Sequence, residues 1–183
     1  FYNTVKNATT NSSITLVNDL IVSSSLPANA KGLTIELADN AKLSVDDSSP
    51  WTIMTTSRDL TIKGNGTIES PAYSGTSSAA VRVGAYANVT IEDGVTVKNK
   101  GGNTGVNAAV YVYGGTVTIN GGYFYAANDA SGAPNPCIYV GGATVRQKSI
   151  VNITGGVFES ESIPNNYLIN VIDGLNISYY QVN

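Results

Sequence analysis

The chain contains no histidine, so any acid–base chemistry in it falls to its carboxylates. Nucleophilic triads built on imidazole and imidazole metal sites are excluded with it. Glycoside hydrolysis requires two carboxyl groups set about 5–10 Å apart. The candidates are Asp46 with Asp47, Glu92 with Asp93, and Glu69 with a residue on a neighbouring repeat. Asp46-Asp47 lies in Asp-Asp-Ser-Ser-Pro, and Glu92-Asp93 runs into Gly94. Both read as turns, where short acidic side chains bond their own backbone. A lyase needs a base beside a metal or an arginine cluster that stabilises the enolate, and no grouping of several Asp with Arg or Lys recurs. Asp129 and Glu161, in polar segments, are the carboxylates to test first for cleavage. The expectation is a non-enzyme, with no catalytic residue, no metal ligand and no cofactor.

Cys137 is the only cysteine. It forms no internal disulfide, and with no histidine to activate it, it reads as a buried structural thiol. Tyrosine is the other side chain with binding chemistry, since its ring stacks on sugars or fills a subunit interface. The candidate ligand or subunit contacts are Arg82, Tyr111, Tyr113, Tyr139 and Asn170, with Arg82 beside Tyr111 offering a cation–π contact. Whether these five share a surface depends on the elements that carry them.

Those elements repeat. Leu33-Thr-Ile35, Leu60-Thr-Ile62, Val89-Thr-Ile91, Val117-Thr-Ile119 and Val151-Asn-Ile153 stand 27, 29, 28 and 34 residues apart, the last step lengthened by an insertion at 143–149. Each of the last four leads into a short Gly-containing turn, whereas the first leads into Glu-Leu-Ala-Asp. A fixed period of this size marks a stacked repeat. Each unit holds three short runs that alternate apolar and polar residues, the strand signal. The first run is Ala80-Val-Arg-Val83, Ala109-Val-Tyr-Val112 or Cys137-Ile-Tyr-Val140. The second is Val-Thr-Ile, and the third is Val95-Thr-Val97, Tyr123-Phe-Tyr125 or Val157-Phe-Glu159. No segment sustains helical spacing. The fold expected is all-β, a right-handed single-stranded parallel β-helix of about six coils with three short strands each. One coil cannot bury enough side chain to offset the entropy of ordering it, so the coils must stack.

Stacking aligns residues in columns. The outward column of the first run is Met54, Arg82, Tyr111, Tyr139 and Asn170, with Tyr113 beside Tyr111. The second run gives Thr34, Thr61, Thr90, Thr118 and Asn152, hydroxyls that support β structure. Uneven coil lengths argue against an ice-binding lattice. The third run sets Glu69 against Lys98 as a surface ion pair. The polar segments 70–78, 99–107, 128–136 and 160–166 fall at one place in each coil, so stacking gathers them at one edge, where binding function sits on rigid scaffolds.

The 183 residues form one domain with no linker. Residues 1–47 read as an irregular first coil or junction, with one coil near 14–45, and 51–183 as regular coils near 51–69, 79–98, 108–126, 137–159 and 167–183. The start at Phe1 and the stop at Gln181-Val-Asn183 read as a piece of a longer chain, with a Gly turn expected after Asn183. Charge is sparse at 13% and the net value is −3. The absence of a basic tract argues against nucleic acid as a partner, and no segment reads as a membrane span.

The runs Ser13-Ile-Thr-Leu-Val-Asn-Asp-Leu20 and Gly32-Leu-Thr-Ile-Glu-Leu37, with Thr118-Ile-Asn-Gly-Gly-Tyr-Phe124 and Asn152-Ile-Thr-Gly-Gly-Val-Phe158, resemble a group of β-helix proteins. These occur in bacteriophage virion appendages such as head fibres and tail fibres or spikes, and in bacterial surface proteins. The resemblance spans nearly the whole chain and lies in turn and core residues. It implies a module displayed on the virion surface, homo-oligomeric and in phages often trimeric, attached to other virion proteins through another segment. A structural or adhesive head fibre is the function expected on that resemblance, with host-surface or mucosal glycan held weakly through the loop edge or the Tyr column. A bacterial surface adhesin and a glycan depolymerase of the tailspike type are the alternatives. The resemblance carries no catalytic residue onto this chain.

Overall fold

The computed structural model describes residues 1–75, 77–103, 105–141, 148–161, 168–171 and 180–182, with backbone alone at 170, 171 and 180–182. A short helix, α1 (Tyr2–Lys6), comes first. The strands then follow in sets of three. These are β1 (Ser13–Leu16), β2 (Leu20–Val22) and β3 (Leu26–Pro27), then β4 (Leu33–Leu37), β5 (Lys42–Val45) and β6 (Trp51–Thr55). Next come β7 (Asp59–Gly64), β8 (Thr67–Glu69) and β9 (Ser77–Val83), and β10 (Asn88–Ile91), β11 (Thr96–Asn99) and β12 (Val106–Tyr113). β13 (Thr116–Ile119), β14 (Tyr123–Ala126) and β15 (Ile138–Gly141) precede β16 (Ile150–Ile153), β17 (Val157–Ser160), β18 (Ile169–Val171) and β19 (Tyr180–Val182). Every third strand joins the same sheet. The three sheets hold seven, six and six strands, and their pairings are parallel throughout. The chain is therefore a parallel β-solenoid with almost no helix.

The register explains why this sequence winds in this way. Ile35, Ile62, Ile91, Ile119 and Ile153 pair in succession along the first sheet. Leu43, Ile68, Val97, Phe124 and Phe158 do so in the second. Leu26, Ile53, Val81, Val110 and Ile138 do so in the third. Nearly all of these side chains belong to one continuous buried core. In the second sheet the Phe124 and Phe158 rings stack at 4.9 Å and 14°. A one-residue slip would send a whole column to solvent, which fixes the register.

Between the first and second sheets the chain turns through a left-handed residue. Gly64 has φ +100°, and a Cβ there would lie 2.0 Å from the Leu37 carbonyl oxygen of the previous turn. Glycine is required both for the dihedral and for that approach. One turn earlier Asn40 adopts φ 63° instead, the conformation asparagine tolerates best among residues with a Cβ. At the corner between the second and third sheets the interior is polar. Asn99 donates through Nδ2 to Ser70 Oγ at 2.8 Å and Ser78 Oγ at 3.2 Å. Its Oδ1 accepts the Gly101 N–H at 2.8 Å, and Ser78 donates to Asn107 Oδ1 at 2.8 Å. These buried groups are satisfied from neighbouring turns, as burial demands.

Three expectations are corrected. Residues 14–45 do not form one coil, because Ile14 pairs with Ile35, so that a shortened turn of 21 residues precedes the regular ones. Four turns of near-regular length lie between Ile35 and Ile153, in place of about six coils. α1 is also a helix where none was expected. Five residues are too few to show a period, and packing holds the helix, with Val5 fully buried in the core. Among the described residues no helix is long and apolar enough to cross a membrane.

Candidate functional site: an aromatic face on the third sheet

The register of the third sheet brings the first-run candidates into one column. Met54 pairs with Arg82, Arg82 with Tyr111, Tyr111 with Tyr139, and Tyr139 with Asn170. The side chain of Asn170 lies outside the described residues. Tyr111 stacks on Tyr139 with ring centroids 5.0 Å apart at 17°, and lies near-parallel to Tyr113 at 6.3 Å and 16°. A spacing of 5.0 Å is that of adjacent strands, so the rings stack because the strands do.

Trp51 completes the face, and sequence parity misses it. It stands three residues before Met54, so strict alternation sends it to the opposite side. β6 breaks alternation, with Thr52 and Ile53 both fully buried. The Trp51 ring meets Tyr111 at 5.4 Å and 45° although β9 lies between their strands. Its register partner on β9 is Ala79, which pairs in turn with Ala108 on β12, and both are fully buried. These small residues leave room for the two rings to close above them. The signal for Trp51 was the pair of alanines facing it at the start of the next two strands.

Arg82 is held by this face. Its guanidinium carbon lies 5.4 Å from the centre of the Trp51 ring and 5.7 Å from that of Tyr113. The expected contact with Tyr111 is thus replaced by contacts with Trp51 and Tyr113, because Tyr111 is already occupied by ring neighbours. Tyr139 also departs from expectation. It is 7% exposed rather than outward and open, since its ring lies along Gly141, where a Cβ would come within 2.7 Å of Tyr139 Cε1. Burial pushes the Tyr111 phenol above its ordinary pKa, with Tyr139 adding to the rise and Arg82 opposing it. Burial likewise raises Tyr139. Tyr113 remains exposed at the rim of the face.

The carboxylates are tied into the scaffold. Asp129 accepts the N–H groups of Ser131 and Ala133 and the Ser131 hydroxyl at 2.6–2.9 Å. The Ser131 hydroxyl is foremost in holding Asp129 below the usual carboxylate range. Glu161 Oε2 accepts the Asn128 N–H at 2.9 Å. Asp46 accepts from the hydroxyl and N–H of Ser48, and these bonds depress its pKa. Glu92 accepts from Asn120 at 3.0 Å, and Asp93 accepts the Gly122 N–H at 3.1 Å, each linking one turn to the next. Glu69 pairs with Lys100 at 2.7 Å and Lys42 at 3.7 Å rather than with its register neighbour Lys98.

Three of the polar edge segments do meet. Tyr73 bridges to Gly102, and the Ala130 N–H donates to the Gly102 carbonyl at 2.7 Å. They leave a shallow groove of about 340 Å³ bordered by Ser74, Lys100, Asn103, Asn128 and Asp129. The segment 160–166 lies largely outside the described residues. Cys137 is buried just before β15, its thiol donating to the Glu159 carbonyl at 3.1 Å and the Phe124 carbonyl at 3.4 Å. Burial pushes it up to about 12, so it stays a thiol at neutral pH. Among the described residues no three His, Cys, Asp or Glu side chains are gathered as metal ligands would be.

Fold and face together define a parallel β-solenoid with an aromatic surface that carries one centrally held cation. No protein-family model, curated protein or solved structure matches the chain.

Proposed function

We propose that this chain is a structural and adhesive, non-enzymatic module of a bacteriophage virion appendage, a head fibre, and that its aromatic face holds host-surface or mucosal glycan. The observation that carries the adhesive reading is the stacked set Trp51, Tyr111, Tyr113 and Tyr139 around Arg82. Trp51, Tyr111 and Tyr113 are partly exposed, and rings held rigidly by a sheet lose little entropy when a sugar ring packs against them. The appendage reading, with its homotrimer and its attachment to other virion proteins, rests on the resemblance of the turn and core motifs. The winding is taken as right-handed, the hand that parallel crossovers adopt almost without exception. Against cleavage stands the engagement of Asp129, Glu161, Asp46, Glu92 and Asp93 in bonds that hold turns and loops.

The test is incubation of the chain with a panel of bacterial and mucosal polysaccharides, scoring both retention and newly formed chain ends. Retention without new ends is expected, weakened roughly three- to tenfold in Tyr111→Ala, the size of one aromatic contact. New ends that vanish in Asp129→Asn or Glu161→Gln would replace this reading with a depolymerase.

A further inference from the structure

Arg82 poses a chemical question that the rings alone do not answer. Its guanidinium sits over Trp51 and near Tyr113. Among the described residues no oxygen accepts a hydrogen bond from it and no carboxylate pairs with it, the ion pairs there being formed by lysines. A guanidinium has five N–H donors in a planar fork that matches a carboxylate or sulfate. Two aromatic rings hold the guanidinium here, and among the described residues its donors meet no acceptor.

From this arrangement we infer that the aromatic face binds acidic polysaccharide, a sugar carboxylate or sulfate taking the Arg82 fork while the sugar ring packs against the exposed edges of the Tyr111 and Tyr113 rings. This inference rests on the glycan reading above and specifies its ligand. Two features favour an acidic glycan over other anions. The face centres on a single guanidinium, which suits one anionic group per repeating unit rather than a continuous run of phosphates. The surrounding area is ring surface, which suits the C–H faces of a sugar. The phenol of Tyr111, raised by burial, stays protonated at neutral pH and able to donate to a sugar oxygen.

The experiment is affinity electrophoresis of the full 183-residue chain through polygalacturonate, dextran sulfate and neutral dextran. At least one acidic polymer is expected to be held about tenfold more tightly than dextran, as a charge-assisted pair implies. Arg82→Gln should reduce that retention to the dextran level, while Arg82→Lys should recover only part of it. Lys63→Gln, on the first sheet and paired with Glu36 at 3.3 Å, should change nothing. Loss of retention on polygalacturonate alone assigns a carboxylate, and on dextran sulfate alone a sulfate. Acidic polymers held no more tightly than dextran, or retention unchanged in Arg82→Gln, would overturn the inference. If Tyr111→Ala still weakens dextran binding in that case, the glycan reading survives. If no polymer is retained, both fall together.

Discussion

At Tyr123 a single hydrogen bond sets the protonation of a half-buried side chain. Its phenol donates to Glu159 Oε2 at 2.6 Å, and this bond is the largest cause that pushes its pKa up to about 12. A carboxylate that accepts from the neutral phenol must lose that bond when the phenol ionises, so the protonated form is favoured. Because the folded pKa lies above the unfolded value, the stabilisation is present in full below the ordinary phenol range. It fades as pH rises from about 10 towards 12. Spectrophotometric titration should therefore show tyrosines that ionise later than free tyrosine, Tyr123 among them. In Glu159→Ala one of these should return towards the ordinary range. A titration curve identical in the two proteins would show that the bond does not form.

At the scale of the strand and its corner, the sequence was read well where side chains obey parity and badly where they do not. The isoleucine ladder from Ile35 to Ile153 and the threonine column from Thr34 to Thr118 follow from alternation plus a constant period, and the register pairs both. The column through Arg82, Tyr111 and Tyr139 was legible for the same reason. What each tip touches was not, because parity gives a face and leaves the rotamer open. Arg82 reached Trp51, Glu69 reached Lys100, and Tyr139 lay down along Gly141. The shortened first turn was hidden because its strands lack the Val-Thr-Ile form. The polar corner also escaped notice, since Asn99 and Ser70 read as loop residues yet are fully buried. Asn99→Ala removes a donor pair and an acceptor there, leaving the Gly101 N–H unsatisfied, while Ser70 keeps Pro71 and Lys100 and Ser78 keeps Asn107 as partners. The expected loss is about 1–3 kcal/mol for the group left unsatisfied. Thermal unfolding checks it, and a variant with unchanged Tm would mean that water enters the corner and replaces the amide.

For the whole molecule, every turn depends on its neighbours, since its strands find their hydrogen-bond partners only above and below. At the N-terminal end α1 lays Val5 over the first turn and closes the core. The same arrangement decides how the molecule responds to force. The bonds between turns run along the solenoid axis, so a pull applied to the two ends loads them one after another rather than all at once. Each regular turn of 27 to 29 residues should then open as a separate step. Extended at roughly 3.5 Å per residue, one turn releases about 90–100 Å of chain in place of a rise of about 5 Å. Single-molecule extension should show a staircase of such steps, and one abrupt rupture of the full length would refute it. A solenoid of this kind works as a shock absorber: under load it pays out line turn by turn while the turns not yet reached keep their shape.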